Sequence, residues 1–272
     1  MKLLKNNSAA SKLKQLKTFI SAYKSAVVAY SGGVDSTLLL KVTADTLGKN
    51  NTLAVLALSE TYPESDRATA QNVVKKLGVK CITIRTSELQ NRNFRKNPKL
   101  RCYYCKSELF SKISRIATEH KIRTIFDGSN YDDLSDYRPG RIALKEFRVT
   151  SPLLQTGINK KGVRAISRLL GLPTWNKPQM ACLASRIPYG TMITKETLVK
   201  IDKAEDILRK FGFINVRVRD YQGTARIEVS QEQINRFFKN GLRNKVTGAF
   251  KKLGYKFVTV DLEGYRTGSM NL

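Results

Sequence analysis

Between an apolar run and a helical pattern stands "SGGVDST", residues 31–37, with two glycines, one carboxylate and three hydroxyls. Gly32 and Gly33 permit a tight turn in which backbone N–H groups point inward. A helix starting near Ser36 adds its positive end. Ser31, Ser36 and Thr37 carry hydroxyls that donate to phosphate oxygens. The loop has no lysine, which separates it from a Walker loop. Asp35 repels a bare phosphate, so the task that suits it is holding Mg²⁺. The chemistry expected is the gripping of nucleotide phosphates.

A second group is made of thiols. "RCYYCK" (101–106) opens a helical pattern with Cys102 and Cys105, and "ACLASRIPYG" (181–190) supplies Cys182. Three thiolates without an obvious fourth ligand fit a 4Fe–4S cluster with one open iron. Structural zinc wants four ligands, so Cys81 or His120 would have to join. A redox pair needs only Cys102 and Cys105. Spacing leaves all three open. Cys81 sits inside the strand-like "VKCITIR" and reads as a buried, inert thiol. His120, the chain's one histidine, reads as a surface residue at a helix C-terminus.

The elements that must position these groups alternate. Val27–Tyr30, Leu53–Leu58, Cys81–Arg85 and Thr124–Phe126 read as buried strands. Thr37–Leu47, Glu64–Leu77 and Cys105–His120 read as helices between them. This is the pattern of an α/β fold with a parallel sheet covered by helices on both faces. Ligands of such sheets lie at the carboxyl ends of the strands, where the glycine turn, the segment after Leu58 and "DGSN" (127–130) all fall. An amphipathic helix carrying Leu13, Leu16, Phe19, Ile20 and Tyr23 precedes the first strand. After about residue 190 the order becomes helix (Thr194–Phe211), two alternating strands ("INVRVRD", "TARIEVS"), helix (231–253) and strand ("KFVTVDL"). That predicts a small α+β domain with an antiparallel sheet and helices on one face. The expected domains are 1–192 and 193–272.

The chain of 272 residues is 41% hydrophobic, enough for a proper core, and carries a formal charge of +27. Lys and Arg outnumber Asp and Glu by 33 to 13 over residues 1–194 and by 16 to 9 over 195–272, so the excess is not a tail. Such a field suits nucleic acid, anionic lipid or a small phosphorylated substrate, or simply a solvated lysine-rich surface. No run is long and apolar enough for a membrane span, and no secretory core is present. The expectation is a cytoplasmic protein without a membrane partner.

The glycine turn resembles the PP-loop of the adenine nucleotide alpha hydrolase superfamily, with its pattern SGGxDS. GMP, NAD and asparagine synthetases and tRNA thiolases share it. The resemblance implies ATP cleaved at the α-phosphorus to an adenylate. Beyond the loop, "NPKLRCYYCKSELF", "FDGSNYDDLSDYRPG", the block from "SPLLQTGINKKGVR" to "IPYGTMIT", "ARIEV" and "VDLEGYRTGSMN" together closely resemble the LarE-type ATP-dependent sulfur transferases, from near residue 11 to the C-terminus. The resemblance implies adenylation of a carboxylate of pyridinium-3,5-biscarboxylic acid mononucleotide, and its conversion to a thiocarboxylate for the nickel-pincer nucleotide cofactor. Some members sacrifice a cysteine near Cys182 as the sulfur source. Others hold a 4Fe–4S cluster on three cysteines, and Cys102, Cys105 and Cys182 together point to that type.

Other roles carry over with the resemblance. Glu60, Gly128 and Asn130 are expected at the adenosine, and Asp133 beside Asp35 at Mg²⁺. Asp136 and Arg138 are expected near the nucleotide or as a loop brace. Arg186 would hold a carboxylate or phosphate. Trp175, Glu228, Asp261 and Arg266 would meet the substrate, or else pack and brace the fold. Tyr221 and Gln222 stand where relatives often have histidine and glycine. The resemblance also implies a homo-oligomer, whose interface is not legible. Two rivals remain: a tRNA thiolase using the same chemistry, and a zinc-stabilised ATP-binding module without catalysis.

Overall fold

The computed structural model describes residues 2–134, 139–178 and 181–266. The chain folds as two compact units. The first comprises Met1–Ser59, Asp66–Glu88 and Lys99–Met180, and the second Glu60–Ser65, Leu89–Pro98 and Ala181–Leu272.

The first unit is a four-stranded, all-parallel sheet in the order β3-β2-β1-β4. Its strands are β1 (Ala26–Tyr30), β2 (Thr52–Leu58), β3 (Lys80–Arg85) and β4 (Ile125–Phe126). The runs that predicted β1, β2 and β4 are largely buried, as the interior of a parallel sheet requires; β3, expected to be buried as well, is exposed to half-buried along its length because it is an edge strand. Ala26, Val28, Ala54 and Leu56 join one cluster with Leu16, Ile20, Leu38, Leu39 and Val163. Val27, Leu53 and Val55 face Phe110, Ile113 and Ile116 on the other side. The first helix, Lys2–Ser21, buries Leu16 and Ile20 fully. The helix after the glycine turn begins at Val34, three residues earlier than its pattern suggested.

The second unit carries a three-stranded sheet in the order β5-β6-β7. β5 (Arg217–Tyr221) and β6 (Thr224–Glu228) form an antiparallel hairpin; β7 (Phe257–Val260) lies parallel to β6. The expected antiparallel sheet is therefore mixed. The reason is the helix-bearing crossover between β6 and β7, which returns the chain to the starting end. The helix expected over 231–253 is interrupted. Asn240 and Gly241 take positive φ (53° and 68°), and the regular helix resumes over Leu242–Lys252. Phe213, Phe237, Val246, Phe250 and Tyr255 fill the core beneath the sheet. Among the described residues no helix is long and apolar enough to cross a membrane.

Candidate active site

The phosphate turn sits where β1 ends. Gly32 adopts φ 69°, a conformation that favours glycine, and Gly33 caps the helix Val34–Leu47 from extended backbone. Ser31 N–H donates to Ser36 Oγ at 3.2 Å, and the two hydroxyls lie 3.0 Å apart. Thr37 is buried in the first turn. β4 closes the cradle from the side. A Cβ on Gly128 would lie 3.0 Å from Ser36 N and 3.2 Å from Ser36 Cα, so only glycine lets the strand end approach this closely.

Residues far away in sequence complete the turn. Asn130 Nδ2 donates to Asp35 Oδ1 at 3.2 Å, and the Lys160 ammonium pairs with the other oxygen. Asn130 is itself fixed: its N–H donates to Asp133 Oδ2 and its Oδ1 accepts from Asp132 N–H, both at 3.0 Å. Asp133 is thus engaged in shaping the Asn130 turn. Lys160 is the first residue of the helix Lys160–Leu169, whose Asn159 cap accepts from Gly162 N–H at 3.0 Å. Lys177 Nζ donates to Gly32 O at 3.2 Å and pairs with Asp66 at 2.9 Å. Arg164 holds that segment by donating to Trp175 O and Lys177 O at 2.9 and 2.8 Å. Trp175 is partly exposed, with the Arg168 guanidinium 5.1 Å from its ring. The loop lacks its own lysine, yet two ammonium groups reach it. Both were missed from sequence, where only "NKKG" and "WNKP" mark them.

Cys102 and Cys105 occupy the first turn of the helix Arg101–Glu119. Cys102 is exposed and Cys105 half-buried, its Sγ 3.6 Å from Oε1 of buried Glu88. Burial pushes the Glu88 carboxyl up, and the Thr86 hydroxyl offsets this only in part. Cys81, expected to be buried, is half-buried on the edge strand β3, and desolvation there pushes its thiol up. Lys106, next in sequence, reaches Asp127 at 3.6 Å. Asp127 also accepts from Ser151 and, at 2.5 Å, from Ser129.

Cys182 and Glu60 belong to the second unit. Cys182 is exposed on a backbone held from several sides. Its carbonyl accepts from Ser185 N–H (2.9 Å), Ser185 Oγ (2.7 Å) and Arg186 Nη1 (3.0 Å). The next residue, Leu183, donates its N–H to Thr61 O at 2.9 Å. Arg186, expected to meet an anionic ligand, is 2% exposed and forks onto Glu205 at 2.8 and 3.1 Å. Glu205 also accepts from Arg209 (2.9 Å) and Val218 N–H (3.1 Å). Burial alone would raise the Glu205 carboxyl, but the Arg186 charge and hydrogen bonds outweigh it and hold the group below its ordinary range. Arg219 links the Cys182 loop to the sheet, donating to Ser185 O at 2.9 Å and to Glu228 at 2.9 and 2.7 Å. Arg226 joins Glu228 at 3.0 Å to Asp261 at 3.6 Å; Arg266 pairs with Glu263 instead. Tyr221 flanks Arg226 at 5.1 Å, and Gln222 takes φ 49° in the hairpin turn.

Asp35 offers hard carboxylate oxygens at a phosphate turn, as Mg²⁺ requires. Among the described residues no three Cys, His, Asp or Glu are grouped as a metal site. The three candidate thiols are divided between the two units. Asp136 and Arg138 lie outside the described residues.

The NAD synthase family model matches residues 9–106. An uncharacterized protein of Synechocystis is 44% identical over 261 residues, 96% of this chain and 97% of that one. The pyridinium-3,5-bisthiocarboxylic acid mononucleotide synthase of Lactiplantibacillus plantarum is 35% identical over 257 residues, covering 93% and 92%. An uncharacterized protein of Methanocaldococcus jannaschii is 31% identical over 244 residues, covering 90% and 92%.

Proposed function

The chain belongs to the LarE-type sulfur transferases of the PP-loop superfamily, and from that premise we propose that it uses ATP to convert carboxylates of pyridinium-3,5-biscarboxylic acid mononucleotide into thiocarboxylates. The observation that carries this reading is the relationship to the L. plantarum synthase over nine-tenths of both chains.

The chain's own residues divide the work. The N–H groups of the 31–37 turn, with the hydroxyls of Ser31, Ser36 and Thr37, bind the pyrophosphate of ATP. A substrate carboxylate oxygen attacks the α-phosphorus, the bond to pyrophosphate breaks, and an acyl-adenylate forms. Asp35 would hold Mg²⁺, which when bound would supply charge neutralisation for pyrophosphate. Lys160 neutralises Asp35 in the resting protein and Lys177 sits on Gly32; both turn to the phosphates when these arrive. Gly128 and Asn130 shape the wall on which the adenosine rests, with Glu60 a further contact. Sulfur then attacks the acyl carbon and AMP leaves. Arg186 and Arg219 hold the Cys182 backbone still. Trp175, Glu228, Asp261 and Arg266 remain proposed substrate contacts.

The sulfur source is proposed to involve Cys102, Cys105 and Cys182. A 4Fe–4S cluster on them, if bound, would supply an exchangeable sulfide; zinc is the alternative metal. Anaerobic purification followed by iron and sulfide analysis tests the cluster, with about four irons per chain expected. An iron-free chain whose residue 182 becomes dehydroalanine would overturn it in favour of a sacrificial cysteine.

The adenylation reading is tested with ATP, Mg²⁺ and the biscarboxylic acid mononucleotide. AMP and pyrophosphate are expected in equal amounts, and Asp35→Asn should lower the rate by about 10²-fold or more. ADP and phosphate as products, or no cleavage, would overturn the proposal. Thiolated RNA in place of thiolated mononucleotide would move the substrate to tRNA.

A further inference from the structure

The excess of positive charge is not explained by a mononucleotide substrate. One open cavity of about 560 Å³ gathers part of it. Its wall includes Lys49, Lys80, His120 and Lys121, with the polar groups of Ser25 and Asn50, and it contains no aspartate or glutamate. It lies at the amino ends of the strands: Ala26 pairs with Thr52, and Leu53 with Lys80, at its floor. The phosphate turn is at the opposite ends. The seven residues of β2 separate the two by roughly 20 Å.

Two observations set these lysines apart from a solvated face. Like Lys14, Lys17 and Lys145, the three lysines Lys49, Lys80 and Lys121 have no acidic partner among the described residues, but these three share the wall of one concavity that holds no acid. Lys49 also reaches across the concavity to Gly78, which follows the helix Glu64–Leu77. Gly78, at φ 65°, has no side chain, and a Cβ there would lie 2.7 Å from Lys49 Nζ. Like charges gathered in a concavity without counter-charge repel one another and focus a field that attracts anions.

We propose that this cavity binds the phosphate backbone of RNA. The wall offers ammonium, amide, hydroxyl and imidazole donors but no phenylalanine, tyrosine or tryptophan, so it is built to grip phosphates more than to stack bases. The charge of +27 adds long-range attraction to a macromolecular polyanion, which a small anion would not need. Binding is therefore insensitive to sequence and sensitive to salt. The site is independent of sulfur transfer.

The test uses the full chain and a fluorescein-labelled uridylate 20-mer, read by anisotropy between 50 and 200 mM salt. Each phosphate contact contributes about −0.7 to the slope of log affinity against log salt. Replacing the three lysines together (K49E/K80E/K121E) should lower affinity by about tenfold or more and flatten the slope by about 2. ATP cleavage should be retained, which separates this proposal from the enzymatic one. A charge-matched control, K14E/K17E/K145E, should cost much less. Equal loss in the control would overturn the proposal in favour of diffuse attraction. So would an unchanged slope, or binding of inorganic polyphosphate without binding of RNA.

Discussion

Two buried glutamates, one in each unit, have opposite fates. Glu88, 4% exposed, accepts from Thr86 Oγ1 at 2.9 Å and touches the Cys105 thiol, while its Oε2 finds no donor. Glu205, fully buried, takes the Arg186 fork, Arg209 and the Val218 N–H. Burial pushes both carboxyls up. At Glu88 it prevails; at Glu205 Arg186 overcomes it. Glu205 is the more deeply buried of the two, so the difference lies in where the arginines stand. In the second unit they cross-link the Cys182 loop, its helix and β5. In the first unit a carboxylate is left uncompensated beside a cysteine of the proposed sulfur site.

The largest effect should come from removing Glu205. Glu205→Ala leaves Arg186 buried beside no carboxylate, and about 3–5 kcal/mol of stability should be lost, measured by urea unfolding. A loss under about 1 kcal/mol would mean the pair only balances its own desolvation. Next comes Arg186→Lys, which keeps the charge but loses the planar fork and the bond to the Cys182 carbonyl. It should cost about 2 kcal/mol and raise the rate of Cys182 alkylation. An unchanged alkylation rate would separate the arginine from the thiol's mobility.

Acid sharpens the same contrast. The folded Glu205 carboxyl is held low, so its contribution is present above the unfolded value of about 4.3 and is lost as pH falls through the folded value. The urea midpoint should therefore drop below about pH 4, and Glu205→Gln should lack that part of the drop. Identical acid profiles for the two proteins would show that other carboxylates govern acid unfolding.

How much of this could be read in advance follows from chain distance. The glycine turn was legible because its glycines, acid and hydroxyls are contiguous. The parallel sheet was legible because strands buried on both faces read as unbroken apolar runs. Lys160 and Lys177 stand 125 and 145 positions from their partners in the turn, and nothing in "NKKG" says where its lysine points. Arg186 was expected to hold an anion because it is a cation close to Cys182, and nothing local marks Glu205, 19 positions further on, as its partner. The parallel β7 was missed because strand type is set by the crossover, and the composition of the strand does not record it.

The smallest predicted effect has the opposite sign. The folded Glu88 carboxyl is raised, so the folded chain holds a proton that the unfolded chain has lost. Stability therefore falls as pH rises from the unfolded value of about 4.3 toward the folded one, and at neutral pH the group is a net cost. Glu88→Gln keeps an acceptor for Thr86 and removes the charge, at the expense of an amide that needs a partner where Oε2 had none. In metal-free protein the variant should be more stable than wild type by about 1 kcal/mol at pH 7 and no more stable at pH 4. The difference between the two pH values is the informative quantity, because an unsatisfied amide costs the same at both. If the variant is equally destabilised at pH 4 and pH 7, the uncompensated carboxylate is not what distinguishes the first unit from the second.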